Sequence, residues 1–342
     1  MMIGLPYLLR KENICHISDG AVQIGDRRVF PFEKRFEACS SVEEVSTALK
    51  AMVTQGGGPL QVAFTTLRFI ADGMQQQRYA YSFAELTRLV GLLISARPTN
   101  TTMRRVMLAL LEELSPFCKR EVPVEEFVRL LNLLVDSQER VYDDVYHQMG
   151  RIGSTLIEDA DVILTTCFAE HTFLLSLAYA KEQGKSISVL VNETRPYLQG
   201  SRLTYPSLLE MGIEAHIITD GMGAHYLAEG KITKYMTASD LVCLDGTVVN
   251  KVGTLSNAVA CKHYKVPYYA FSISVDPTKH TSSDSSMEER DGEEVLYCMG
   301  KATTCEGRAL YPSFDCIEPS LVQGIVTPKG VFAPSELARS FT

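Results

Sequence analysis

The residues of this 342-residue chain whose types and spacing suit chemistry gather in its second half. Thr165-Thr166-Cys167-Phe168-Ala169-Glu170 sets a thiol close to a carboxyl. Asn192-Glu193-Thr194-Arg195-Pro196 and Gln199-Gly200-Ser201-Arg202 follow, then Asp220, Asp240 and Asn250-Lys251-Val252-Gly253-Thr254. Together they offer a thiol, several acids for proton transfer, and three cations for an anionic ligand. Each also has a structural alternative. Glu193 and Arg195 can pair with each other, and Asp220 can cap the helix that follows it. The Asn250–Thr254 stretch has the form of a helix N-terminus suited to phosphate, with Lys251 adding charge.

Other chemistries are excluded. Gly184-Lys185-Ser186 has Tyr179 where a phosphate loop needs its first glycine, and no G-x-G-x-x-G follows a strand. The seven histidines lie without metal spacing and the nine cysteines contain no C-x-x-C, so no metal is expected. The cysteines read as reduced thiols, mostly small buried hydrophobes. With 33 Lys+Arg against 41 Asp+Glu the net charge is −8, which leaves no global field for nucleic acid or anionic lipid. No apolar run approaches the ~18 residues of a membrane span, and no signal peptide is apparent between Met1 and Arg10. A cytoplasmic protein is expected.

The elements that must position these groups change in grammar along the chain. From about Ser154, short β-branched runs (Val162–Thr165, Ile187–Val191, Ala215–Thr219, Ile232–Thr237, Val266–Ile273) alternate with helical stretches at 171–183, 203–211, 221–229 and 253–264. Strands separated by helices of this length imply right-handed crossovers and a parallel sheet. Near-continuous apolar strands fit a sheet covered on both faces. In such sheets ligands bind beyond the carboxyl ends of the strands, which is where Cys167, Glu193, Asp220 and Asp240 fall. The first part reads as a short β-rich entry with a hairpin at Gly25-Asp26, followed by helices. Capping boxes at Ser41–Glu44 and Ser82–Glu85 open two of these, Gln55-Gly56-Gly57-Gly58-Pro59 and Arg97-Pro98-Thr99 break the pattern, and a long helix runs from Val124 towards His147. The polar, serine-rich stretch Asp276–Glu294, with Ser282, Ser283, Ser285 and Ser286, reads as a mobile surface loop. The expected organisation is therefore an α/β fold with a Rossmann-like, doubly wound parallel sheet over 151–342, preceded by a smaller, mainly helical domain over 1–150.

N-E-T-R-P at 192–196, Q-G-x-R-L at 199–203 and N-K-V-G-T at 250–254 resemble the methylthioribose-1-phosphate isomerase family. That family is related to ribose-1,5-bisphosphate isomerases and to regulatory subunits of the initiation factor 2B exchange factor. The likeness extends to Ser41–Met52, Arg97-Pro98-Thr99, Gly230-Lys231-Ile232, Glu288-Glu289-Arg290, Pro312-Ser313-Phe314-Asp315 and Ile325–Gly330. It implies a helical domain coupled to a Rossmann-like one, a homodimer, no metal or organic cofactor, and conversion of an aldose 1-phosphate to the 2-ketose 1-phosphate, as in methionine salvage. It also implies catalytic roles for Cys167 and Asp240, and substrate binding by Asn250, Lys251, Arg97, Gln199 and the loop Gln55-Gly56-Gly57. Glu193, Arg195 and Arg202 are supporting candidates from the strand-end rim.

The chain departs from the family at three places. Gln55 stands where the loop of the family carries an arginine, a loss worth roughly 1.5–3 kcal/mol unless Arg195, Arg202 or Lys251 compensates. Thr166 and Phe168 replace a histidine and an asparagine around the cysteine, and Glu170-His171 replaces small residues. The expected substrate is 5-methylthioribose 1-phosphate. Another pentose phosphate, such as ribose 1,5-bisphosphate or a 5-deoxypentose phosphate, is the alternative among enzymes. A non-catalytic ligand sensor like the exchange-factor subunits is the alternative outside them.

Overall fold

The computed structural model describes residues 4–98, 100–119, 122–284 and 289–341. Of the positions singled out above, Met1, Thr99, Ser285, Ser286 and Glu288 lie outside them. The chain divides into two compact units, one spanning Tyr7–Asp144 and one from Val145 onward with the few residues before Tyr7. This division and the expected boundary at residue 150 both fall inside one helix.

The first unit opens with a turn of helix, α1 (Lys11–Ile14), and an antiparallel sheet of β1 (Cys15–Ser18), β2 (Ala21–Gly25) and β3 (Phe36–Cys39). The hairpin turns at Asp19-Gly20, both at positive φ, and joins Ser18 to Ala21 across two residues. This corrects the turn expected at Gly25-Asp26, because two successive left-handed residues give the twist a tight hairpin needs. Helices α2 (Val42–Lys50), α3 (Gly58–Gln75), α4 (Phe83–Ala96), α5 (Thr101–Lys119) and α6 (Val124–Ser154) follow. Ser41 Oγ accepts from Glu44 N–H at 3.2 Å and Ser82 Oγ from Glu85 N–H at 3.1 Å, so both expected caps form. The apolar stripe of α2 (Val42, Val45, Leu49) joins Leu67, Ile70, Leu89, Leu93 and Phe127 in one core. α2 ends at Lys50, before the glycine loop expected to stop it, and the loop instead starts α3, a helix the periodicity of α2 and α4 did not announce.

The second unit is built on a seven-stranded sheet. Its strands are β4 (Val162–Thr165), β5 (Ser188–Asn192), β6 (Glu214–Ile218), β7 (Lys234–Ala238), β10 (Tyr268–Phe271), β16 (Gly324–Thr327) and β17 (Gly330–Phe332). They lie in the order β6-β5-β4-β7-β10-β16-β17, all parallel except the edge pair β16–β17. Helices α7 (Glu170–Glu182), α8 (Tyr205–Glu210), α9 (Gly223–Ala228) and α10 (Thr254–Tyr264) lie between them. Neighbouring residues of β10 point to opposite faces. Ala270 packs in a core with Ala258 and Cys261 of α10, whereas Phe271 meets Phe173 of α7 edge to face at 6.3 Å, so both faces are covered. A second, three-stranded sheet is formed by β8 (Leu241–Val242), β9 (Val248–Lys251) and β15 (Phe314–Ile317), in the order β15-β9-β8. The intervening β11 (Glu289–Arg290), helix α11 (Glu293–Leu296), β12 (Tyr297–Cys298), β13 (Lys301–Ala302) and β14 (Tyr311–Pro312) make short antiparallel pairs. Where described, the stretch 276–284 is largely loop, with Asp276 accepting from Thr278 N–H and Asp284 from His280 and Thr281 N–H, and the regular elements begin at β11. Among the described residues no helix is long and apolar enough to cross a membrane.

Candidate active site

The order of the parallel strands reverses between β4 and β7, and a crevice opens at the carboxyl ends of strands at such a switch point. Cys167 lies two residues beyond β4 and Asp240 two residues beyond β7. The topology therefore delivers the thiol and the carboxylate to the same edge from far apart in sequence. The second sheet adds an amide and a cation. Leu241 pairs with Val249 and Asp240 N–H donates to Val249 O at 2.9 Å, which brings Asn250 and Lys251 alongside Asp240.

Cys167 adopts a left-handed backbone, φ +68°, a conformation costing a non-glycine residue roughly 1–3 kcal/mol. Its N–H donates to Thr194 Oγ1 at 2.9 Å and its carbonyl accepts from Thr204 Oγ1 at 2.5 Å. Preceding it, Thr166 Oγ1 belongs to a buried net with Tyr235 OH (2.8 Å), Asn192 Oδ1 (3.1 Å) and Asn257 Nδ2 (3.3 Å). The N-E-T-R motif is thus a support for the cysteine. Asn192 ties β5 to Thr166, and Thr194, itself at φ +64°, holds the Cys167 amide.

Asp220 holds that support in turn. Its two carboxylate oxygens accept from Thr194 N–H (2.8 Å) and Arg195 N–H (2.7 Å). This clamp, not only a helix cap, is its role. Asp220→Asn turns an amide group towards one of these N–H donors. A loss of about 1.5–3 kcal/mol is expected, read as a lower melting temperature.

Burial pushes the Cys167 thiol up to about 11; the Lys251 ammonium opposes this and the Asp240 and Glu170 carboxylates reinforce it. A cation is thus near the thiol, but desolvation outweighs it. The thiol is protonated near neutrality. The Asp240 side chain is exposed. Glu193 is raised above the ordinary carboxylate range by burial and by the charge of Asp220, with Arg195 acting in the opposite sense.

Asn250 and Lys251 are buried, with Asn250 Nδ2 donating to Thr254 Oγ1 at 3.0 Å. The Lys251 ammonium lies 5.0 Å from the Phe314 ring and 5.7 Å from the Tyr311 ring. The helix N-terminus expected to receive phosphate is occupied from within: Asp315 Oδ2 accepts from Gly253 N–H (2.8 Å) and Leu255 N–H (2.9 Å). Arg195 does not pair with Glu193; it donates to the carbonyls of Val295 and Tyr297, both at 2.9 Å, and so ties down the 293–298 segment. Arg202 donates to Tyr197 O at 3.2 Å. Gln199 is buried at the start of the wide turn Gly200–Thr204.

The remaining candidates belong to the first unit. Gln55 is buried, its carbonyl accepting from Arg27 Nη1, and Arg97 Nη1 donates to Thr54 O at 3.5 Å. Gly56 is left-handed (φ +62°) and Gly57 leads into α3. The glycine loop and Arg97 thus meet at Thr54-Gln55, beside the buried Arg27. Sequence reasoning did not find Arg27, Tyr197, Tyr311 or the clamp role of Asp220. Of these, only Tyr311 carried a signal, as the neighbour of the matched Pro312–Asp315 segment.

The family model described as "Initiation factor 2 subunit family" matches residues 58–334. The methylthioribose-1-phosphate isomerase of Thermotoga neapolitana is 34% identical over 92% of this chain and 93% of its own length. Its namesake from Thermotoga maritima is 32% identical over 93% of this chain and 94% of its own. The solved 5-methylthioribose 1-phosphate isomerase of Pyrococcus horikoshii superposes with a TM-score of 0.80 at 25% identity, covering 96% of this chain and 94% of that one. The delta subunit of initiation factor eIF-2B from A. fulgidus superposes at 0.76 with 27% identity, covering 95% and 96%.

Proposed function

Since the chain belongs to the initiation factor 2 subunit family, we propose that it is an aldose–ketose isomerase acting on a pentose 1-phosphate, with 5-methylthioribose 1-phosphate as substrate. What supports this reading is the placement of Cys167 just beyond β4 and Asp240 just beyond β7, on either side of the point where the order of the parallel strands reverses, with Asp240 and the Lys251 ammonium near enough to act on the thiol. A subunit that only senses a ligand has no use for that pair. In this reading, with domains at 1–150 and 151–342, the substrate-binding residues are Gln55, Gly56, Gly57, Arg97, Gln199, Asn250 and Lys251. Glu193, Arg195 and Arg202 support these positions. No cofactor is needed, and the protein works in the cytoplasm as a homodimer, for which light scattering at twice the chain mass is the check.

The chemistry follows from the substrate. An aldose esterified at C1 has no free aldehyde, so the ring must open while the phosphate stays on. Asp240 gives a proton to the ring oxygen as its bond to C1 breaks, leaving C1 electron-poor. A neutral thiol is no base, which favours passage of the C2 hydrogen to C1 with its electron pair. The 2-hydroxyl then becomes the ketone and returns its proton to Asp240, so the carboxyl ends as it began. Cys167 holds the polarised carbons in a water-poor setting, and Lys251 neutralises the phosphate.

A phosphorus NMR time course with 5-methylthioribose 1-phosphate tests the activity. The anomeric phosphate signal is expected to give way to that of a ketose 1-phosphate, and substrate deuterated at C2 to retain its label at C1. Label washed out to solvent points to a proton route. Turnover confined to ribose 1,5-bisphosphate or a 5-deoxypentose phosphate moves the substrate assignment, and saturable binding without turnover of any of them leaves a sensor like the eIF-2B subunits.

A further inference from the structure

Three tyrosines are buried among the described residues: Tyr235, Tyr268 and Tyr311. Two have partners for their hydroxyls, Tyr235 with Thr166 at 2.8 Å and Tyr268 with Thr237 at 2.9 Å. Tyr311, 4% exposed, has none. A buried hydroxyl without a partner opposes folding, so its presence asks for a reason. Its surroundings suggest one. Cys167, Arg290, Glu294 and Tyr197 are near enough to act on it electrostatically. Its ring lies 5.7 Å from Lys251 Nζ and 6.4 Å from the Tyr197 ring, whose hydroxyl accepts from Arg290 Nη2 at 2.6 Å. The register of β14 on β11, Arg290 opposite Tyr311, holds this layer in place.

The Lys251 ammonium beside it is 5% exposed and makes no ion pair among the described residues. Aromatic faces stabilise a buried cation only partly, so the site is complete when an anion arrives. An ammonium can only donate, whereas a phenol both donates and accepts. A ligand that brings a phosphate and several hydroxyls satisfies both groups at once. We propose that Tyr311 is a substrate-contacting residue, its hydroxyl hydrogen-bonding an oxygen of the bound sugar 1-phosphate beside Lys251. This rests on the isomerase reading above and adds to it a contact from the segment that closes the second sheet.

Tyr311→Phe tests it, with Tyr268→Phe as the structural contrast. For Tyr311→Phe, kcat/KM with 5-methylthioribose 1-phosphate is expected to fall by roughly 10- to 100-fold. The calorimetric Kd for ribose 1-phosphate should weaken in parallel. The melting temperature should stay level or rise, because an unsatisfied hydroxyl has been removed. Tyr268→Phe should do the reverse, lowering the melting temperature while kcat/KM is unchanged. Wild-type kcat/KM and Kd in Tyr311→Phe overturn the proposal while leaving the isomerase standing. A lower melting temperature matching that of Tyr268→Phe also overturns it, by showing that the hydroxyl serves the fold. A wild-type protein that neither converts nor binds either sugar phosphate fails the isomerase reading itself, and Tyr311 with it.

Discussion

Asp240→Asn is expected to lower kcat by about 10²–10⁴-fold with little change in KM, the signature of losing a proton carrier and not a binding group. The asparagine keeps the shape of the carboxyl and the Asp240 N–H bond to Val249 O, so the arrangement of the second sheet survives. What disappears is the proton for the ring oxygen and the site that takes it back. Cys167→Ser acts differently. Serine can still accept the backbone arrangement held by Thr194 and Thr204, but the soft, enclosed thiol is replaced by a smaller, more hydrated group. Turnover close to wild type in Cys167→Ser would remove the cysteine from the mechanism. The pH profile separates the two roles further. With the thiol pushed up to about 11, the competent neutral form is fully present near neutrality and is lost only as pH climbs towards 11. A rate that rises as pH is raised through 8 to 9 would mean that a thiolate is needed and the hydride route is wrong.

Gly200→Ala carries the second large effect, on folding. A Cβ at Gly200 would lie 1.7 Å from the carbonyl oxygen of Asn192 and 3.1 Å from Val191 Cγ1. The obstacle is backbone at the end of β5, which cannot rotate away as a side chain would. Either the strand end or the Gly200–Thr204 turn must shift, at about 3 kcal/mol or more. The same strand end carries Asn192, Thr194 and thus the Cys167 amide, so activity should fall with the melting temperature. Gly91→Ala is the counterpart. Gly91 sits within α4 with nothing within 4 Å of its would-be Cβ, and there alanine should stabilise by about 0.5–1 kcal/mol. Thermal melts of the two variants moving in opposite directions are the expected result. Gly200→Ala melting like wild type would mean that the glycine of Q-G-x-R is dispensable.

The sequence by itself determined the kind of fold and the edge at which to look. Val162–Thr165 forms a strand with the bounds read from its β-branched run, and β5, β6, β7 and β10 lie within a few residues of their expected ranges, because burial leaves a local, contiguous apolar signal, whereas the parallel strand β16 is not among the runs read as strands. Ser41 and Ser82 announced helix starts because a cap is made by residues three apart. The tertiary structure alone decided what each polar group does. Asp220 and Asp315 each had several backbone N–H groups within reach of some fold, and strand order chose Thr194 and Arg195 for one, Gly253 and Leu255 for the other. Arg195 turned to the carbonyls of Val295 and Tyr297, a hundred residues away in sequence. The thiol of Cys167 is raised although a lysine stands near, because burial depends on everything that packs around it and spacing in the chain does not report that. Tyr311 reaches Lys251 through the pairing of β9 with β15, and register across strands distant in sequence leaves no trace in either segment alone.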